Sequence, residues 1–369
     1  MNKNFFILII VCVLFAQDIY AQQKNSTNVN TIKIGLLIND DKSFNARNGA
    51  ELAISIANKK QGPDVLNFDL EVRSMEGPWG TGSKEVVNLV FKEKVWAILG
   101  SHDGRNAHLV EQVIAKTQIV FLSAWASDPT LSQAFVPWYF NCVPNDLQQA
   151  DALIEEIYRK RKIAKIAIVS DRDYDSKLAL ESFLKKWKIT GKVNPLQLFY
   201  NNPDKDFNIL IDKLIKADVN GVLLFGKPAS SLRFINKLRQ KKMNQPVFGT
   251  LSLMGETEFS EDDLANFEGI MFVTSVNWLG SNGIDFKKAF QRKYGKDPTE
   301  IAAYAFDGMN LIIEAIRSSN YDPEKVQEAM TKINYKGVTG TIQFDKRGNR
   351  IGNAELKVLR NGIPVNVKK

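Results

Sequence analysis

The sequence predicts an α/β protein made of two doubly wound parallel-sheet lobes. From Thr31 onward, short apolar runs alternate with amphipathic helical segments, the pattern of strands covered by helices on both faces of a parallel sheet. The series stops near Val143-Pro144 and a second one begins. A chain of 369 residues is also long for one domain, since domains average about 150 residues.

In order, Ile32 to Ile38 reads as a strand and Asn45 to Lys60 as a helix, with Ala50, Ala53, Ile54 and Ala57 on one face. Leu66 to Val72 is a strand, Ser83 to Lys94 a helix and Val95 to Leu99 a buried strand. The helix Arg105–Lys116 and the strand Ile119–Leu122 complete the first series. The second runs through the helix Asp146–Arg161, the strand Lys165–Val169, the helix Asp173–Trp187 and the strand Val193–Phe199. It continues with the helix Lys205–Lys216, the strand Gly221–Phe225, the helix Ala229–Lys242 and the strand Pro246–Gly249. The tail is different. Asp285–Tyr294, Glu300–Ser318 and Pro323–Ile333 are helical, and Thr341 to Gly348 is a strand closed by a turn. The strands Ala354–Leu359 and Ile363–Val367 flank Asn361-Gly362, a strong hairpin signal.

The N-terminus carries a different signal. Phe5 to Ala16 is an apolar run of twelve residues behind Lys3, short of the about 20 that span a bilayer. Residues 1–21 are therefore expected to be a secretory signal peptide cleaved after Ala21, with 22–30 a flexible polar leader. Cys12 lies inside the run after Val11, not at a lipid-acceptor position, so no lipid anchor is expected. Cleavage leaves Cys142 alone, so the fold is expected to rest on its core rather than on a disulfide.

Composition is that of a soluble globular protein, with 44% hydrophobic and 24% charged residues and 49 Lys plus Arg against 41 Asp plus Glu, a net charge of +8. It excludes a disordered chain, a collagen-like repeat and a multi-span membrane protein. The densest basic runs, Arg159 to Lys162 and Lys241-Lys242, sit at helix ends, where cations complement the macrodipole. No aromatic residues interleave with them, so nucleic acid is not an expected partner.

Motifs for chemistry are missing. Gly221 to Lys227 has P-loop spacing, but Pro228 replaces the hydroxyl residue and Val222 to Phe225 are strand core. No G-x-S-x-G elbow occurs. His102, His108 and Cys142 make a poor metal set. Neither a cofactor nor a metal is expected, and the chain does not read as an enzyme. A secreted two-lobed enzyme would need a nucleophile–base pair or metal cluster that the sequence does not offer.

Ligands of open parallel sheets bind beyond the carboxyl ends of strands, near helix N-termini. Here those positions hold Gly100 to Asn106, Ser123 to Thr130, Ser170 to Tyr174, Gly226 to Ala229 and Thr250 to Met254. Small residues, hydroxyls, a few charges and aromatics suit a small ligand held against an aromatic wall.

Four segments carry a resemblance. Asn48-Gly-Ala-Glu-Leu-Ala53, Val95-Trp-Ala-Ile-Leu-Gly100, Ala167-Ile-Val-Ser-Asp-Arg-Asp-Tyr174 and Gly340-Thr-Ile-Gln-Phe-Asp-Lys-Arg-Gly348 resemble, in order, segments of the type I periplasmic solute-binding proteins. The branch is that of the leucine/isoleucine/valine-binding protein, and the similarity runs from Ile32 to the C-terminus. It implies two lobes joined by a three-crossing hinge near Asn141–Asn145, Thr274–Trp278 and Lys336–Gly340. Lobe one would be 31–143 plus 276–336, and lobe two 144–275 plus 337–369.

It also implies a ligand site. Ser127 would supply a hydroxyl, Ala124 a backbone carbonyl, and Tyr174 would close from lobe two. Gly104 stands where the family has a serine, between Asp103 and Arg105. Leu251 stands where it has the acidic partner of an α-ammonium. A buried ammonium without that partner costs several kcal/mol, which points away from a plain α-amino acid. Asp103 would then replace the missing charge, or Arg105 or Lys227 would take a carboxylate; Trp125, Phe225 and Trp278 would form an apolar wall. The implied function is a monomeric periplasmic receptor that passes a small molecule to an ABC permease. A sensor of the same fold is a second reading that the chain leaves open.

Overall fold

The computed structural model describes residues 31–59, 66–78, 80–201, 206–256 and 259–367; the expected signal peptide and leader, 1–21 and 22–30, lie outside them. The first series forms β1 (Thr31–Ile38), α1 (Phe44–Lys59), β2 (Asn67–Ser74), α2 (Thr81–Val87), β3 (Ala97–Ser101), α3 (Gly104–Thr117), β4 (Val120–Ser123) and β5 (Tyr139–Asn141). Its strands build a five-stranded sheet in the order β2-β1-β3-β4-β5, parallel throughout. The near-continuous burial of β1, β3 and β4 explains their unbroken apolar runs.

The second series comprises α4 (Asp146–Ile154), β6 (Ile166–Asp171), α5 (Tyr174–Ile189), β7 (Leu196–Tyr200), α6 (Asn208–Lys216), β8 (Gly221–Phe225), α7 (Pro228–Gln240), β9 (Val247–Gly249), α8 (Glu261–Phe267) and β10 (Met271–Val273). The tail follows as α9 (Ser281–Tyr294), α10 (Glu300–Ser318), α11 (Val326–Thr331), β11 (Tyr335–Gly337), β12 (Gly340–Ile342), β13 (Leu356–Arg360) and β14 (Ile363–Asn366). The second sheet has seven strands in the order β14-β13-β10-β9-β8-β6-β7. β13 and β14 enter it antiparallel, as the hairpin turned by Asn361-Gly362 at φ 49° and 75°.

The helical tail returns to the first sheet. Ile301, Ala305, Met309, Ile312 and Ile316 of α10 share a core with Ile34 and Leu36 of β1 and with Ala46, Ala50 and Ala53 of α1. α1 and α10 approach so closely that a Cβ on Gly49 would lie 2.2 Å from the carbonyl oxygen of Ala302. The small residues of the Asn48 to Ala53 segment are thus a packing requirement.

Buried charge holds the chain where it passes between the sheets. Asp307 of α10 accepts N–H bonds from Val338 (3.0 Å) and Thr339 (2.7 Å). Arg350 donates to the carbonyls of Cys142 (2.9 Å) and Thr341 (3.1 Å), tying the first crossing to the last. At the second crossing, Glu300 accepts from Thr274 Oγ1 and, at 2.8 Å, from Trp278 Nε1. Lys357 donates to the carbonyl of Val276 at 2.6 Å.

Several boundaries differ from the sequence reading. The strand expected at 95–99 runs Ala97–Ser101, and the three-residue strands β5 and β10 were not anticipated. The strand expected over Thr341–Gly348 ends at Ile342, because Phe344 turns into the first lobe's core, 5.1 Å from the Phe140 ring. Asp345 then accepts the N–H groups of Arg347 and Asn349 in a tight turn. This carries the first lobe's packing past the 336–340 crossing expected from the sequence, and the chain rejoins the second sheet only at Leu356.

Candidate functional site

Four strand-end segments meet between the lobes. Asp103 caps α3 and accepts the N–H of Asn106 at 2.8 Å; Asp173 does the same for α5 with Ser176 at 3.2 Å. These caps satisfy a free N–H in the first turn of each helix. Asn145 caps α4 through a capping box with Gln148. Lys227 precedes α7, which begins at Pro228.

Two contacts cross from the first turn of α5 to the first lobe. The Gly104 N–H donates to Asp175 Oδ1 at 2.9 Å, and the Tyr174 hydroxyl donates to Asp128 Oδ2 at 3.2 Å. Nearby, Glu256 of lobe two accepts the N–H groups of Asn45 and Ala46 at the start of α1, both at 3.0 Å. Two carboxylates of the second lobe therefore sit on the N-termini of two helices of the first. That placement is electrostatically favourable, because free N–H groups and the macrodipole attract negative charge there.

Asp128 is the most heavily bonded group of the set. Its Oδ1 accepts the N–H and hydroxyl of Thr130 at 2.8 and 2.7 Å, and its Oδ2 faces His108 Nε2 at 2.9 Å. Burial pushes its carboxyl up, but the bonds from His108 and Thr130 outweigh that and hold it below the usual range. His108 is pushed up to about 9 by Asp128 and Glu111, so it is an imidazolium at neutral pH. Burial, reinforced by Asp128, pushes the Tyr174 phenol up to about 12, which keeps it a donor. Asp175 is pushed up to about 7 by burial and the neighbouring Asp103, against the pull of the Gly104 N–H and Lys227. Asp146, buried below Ser127, is raised well above its ordinary value by burial and by Asp175 and Asp128.

The structure brings some of the sequence-predicted residues together. Gly104 and Tyr174 meet directly, while Asp103 and Lys227 act on Asp175 through their charges. Ser127 interacts with Asp146 and accepts its N–H at 2.8 Å. Trp125 packs edge-on to Tyr304 at 6.2 Å and lies against Gly255 of the second lobe. Arg105 is exposed on the first turn of α3.

Four others lie elsewhere, each for a packing reason. Phe225 is 1% exposed and packs against Phe183, so it belongs to the second lobe's core. The Ala124 methyl is fully buried beside Gly308. Leu251 is buried in an apolar cluster with Tyr304 and Val276, and its N–H donates to Gln149 Oε1 at 2.8 Å. Trp278 stacks on Phe286 and, with Met254, Leu279, Ile284 and Ile363, lines a separate groove of about 510 Å³. Asp103 caps α3.

Sequence reasoning missed Asp128, Asp175, His108 and Glu256. The first two are immediate neighbours of the chosen Ser127 and Tyr174, so a cap analysis of those turns would have reached them. Glu256 lies five residues past Leu251, but only the fold shows that it reaches α1. Among the described residues, no group of three or more His, Cys, Asp and Glu side chains is placed to hold a metal ion. No described helix is long and apolar enough to cross a membrane.

Two parallel-sheet lobes, linked by three crossings and meeting at the carboxyl ends of their strands, define a two-lobed α/β binding protein. The periplasmic binding protein family matches residues 31–360, and this chain belongs to it. The Leu/Ile/Val-binding protein homolog 1 of Brucella abortus (strain 2308) is 26% identical over 273 residues, covering 72% of this chain and 71% of that protein. Among solved structures, the branched-chain amino acid transporter substrate binding protein LivJ from Streptococcus pneumoniae, in complex with isoleucine, superposes with a TM-score of 0.79. It is 20% identical and covers 90% of this chain and 97% of its own. An ABC transporter solute binding protein from R. palustris, in complex with benzoate, gives a TM-score of 0.80 at 18% identity, covering 91% of this chain and 95% of its own. At such identities the likeness is one of fold.

Proposed function

We propose that this protein is a periplasmic solute receptor that encloses a small polar or amphiphilic molecule between its lobes and delivers it to an ABC importer. The ligand belongs to the amino acid, carboxylate or amide-like solutes, and the import complex is the partner. The observation that supports this most directly is the meeting of Gly104, Asp128, Tyr174 and Asp175 across the cleft. Groups from both lobes converge there, so a molecule touching both would favour the closed arrangement over the open one. The family match and the fold likeness to transporter-linked binding proteins support the solute-binding role.

On this reading Tyr174, Ser127, Asp128 and the Trp125 ring face the solute, with Lys227 at the rim. The reaction is binding alone. Mass spectrometry of small molecules released from the purified, denatured protein tests the reading. A single solute that rebinds at one per chain, and does so more weakly in Tyr174→Ala, is the expected result. Release of no small molecule, or unchanged affinity in that variant, would overturn it.

A further inference from the structure

Gly104 and Asp175 fit one another as space and occupant. A Cβ added at Gly104 would lie 2.9 Å from Asp175 Oδ1, 3.1 Å from the Asp128 Cβ and 3.4 Å from the Tyr174 ring. The missing side chain in lobe one thus makes room for a carboxylate from lobe two, which takes the first N–H of α3 at 2.9 Å. That N–H, at the start of a 14-residue helix and facing the cleft, is what an anionic ligand group would seek. Asp103 and Asp173 flank the carboxylate, with Lys227 the cation acting on it.

We propose that Asp175 is a specificity-determining residue: its carboxylate occupies the α3 N–H in the closed cleft, so a solute carrying a free carboxylate must displace it and is selected against. This deepens the solute-receptor reading and rests on it, narrowing the ligand to the amide-like solutes, which carry no free carboxylate. A second anion brought to this turn would also meet the charges of Asp103, Asp128 and Asp173, and like charges at short range in a buried site are strongly unfavourable.

Chemical rescue tests this with acetate as the probe. Asp175→Ala removes the internal carboxylate and leaves the N–H and the space, so the variant is expected to be more extended in small-angle scattering than the wild type. Sodium acetate, but not sodium chloride at equal ionic strength, should restore the compact shape, at a concentration roughly tenfold below any that affects the wild type. Asp175→Asn, whose amide oxygen still fills the space and accepts the N–H, should not respond to acetate. If Asp175→Ala does not fold, Gly104→Ala serves instead: its methyl pushes the carboxylate away, giving the same extension without acetate rescue.

Equal acetate responses in wild type and Asp175→Ala, or a wild-type shape in both Asp175→Ala and Gly104→Ala, would overturn the proposal. A solute recovered from the wild type with a free carboxylate would overturn it too, while leaving the receptor reading intact. If the receptor reading fails instead, no solute is recovered, yet the acetate response of the variant persists; the two failures are therefore distinguishable.

Discussion

The Tyr174 hydroxyl, from the first turn of a lobe-two helix, donates to Asp128 of lobe one across 3.2 Å. The acceptor is itself held by His108 and Thr130, so its position is fixed before the second lobe arrives. Tyr174 is still 38% exposed and adds little to the packing of either core. Tyr174→Phe should therefore leave Tm nearly unchanged and weaken solute binding about tenfold, the scale of one hydrogen bond to a charged acceptor. Calorimetric titration with the recovered solute checks this; a large fall in Tm with unchanged affinity would contradict it.

His108 makes a signed prediction for pH. Its value in the fold is raised from 6.5 to about 9 by Asp128 and Glu111, with Tyr174 edge-on to the ring. A raised imidazole contributes stability that is full below pH 6.5 and lost as pH climbs through 9. Tm should fall between those values, and His108→Gln should flatten the fall. Asp175 and Glu300, both raised to about 7, act in the same direction at lower pH, costing stability as they ionise on the way up to that value. A His108→Gln variant whose Tm still falls as steeply above pH 7 would contradict the assignment.

Gly49 marks the tightest helix contact. A methyl there would press on the Ala302 carbonyl, a backbone atom that can yield only if α1 and α10 separate. Gly49→Ala should destabilise the fold by about 1–3 kcal/mol, the usual cost of overpacking, read as a lower denaturant midpoint at constant m-value.

Asp307 joins α10 to the last crossing through two N–H bonds and the Thr339 hydroxyl. Asp307→Ala leaves those donors unpaired in a buried site and removes the charge facing Arg350, so a loss of about 3–5 kcal/mol is expected. Equilibrium denaturation within 1 kcal/mol of wild type would show that these bonds do not hold the hinge.

Much of the fold was legible because parallel strands are buried on both faces and announce themselves as apolar runs. Ile32 to Ile38 and Gly221 to Phe225 lie where the sequence puts them. The short strands at Tyr139–Asn141 and Met271–Val273 were not legible, since three residues show no periodicity and neither follows a helix that the sequence pattern marks, as β9 does. The site was half-visible. Gly104 and Tyr174 stand out by position, but their partners Asp175 and Asp128 look like ordinary cap and turn residues until the opposite lobe is in place. Phe225 misled because an aromatic at a strand end can point into the sheet's core as readily as into the cleft.

The central claim is that one solute is gripped by both lobes at once. Small-angle scattering of the full protein, stripped by partial unfolding and refolded, tests it with and without the recovered solute. The radius of gyration should fall on addition at one solute per chain, and Tyr174→Ala should need more solute for the same fall. An unchanged radius at saturation, with binding confirmed by calorimetry, would contradict closure around the solute.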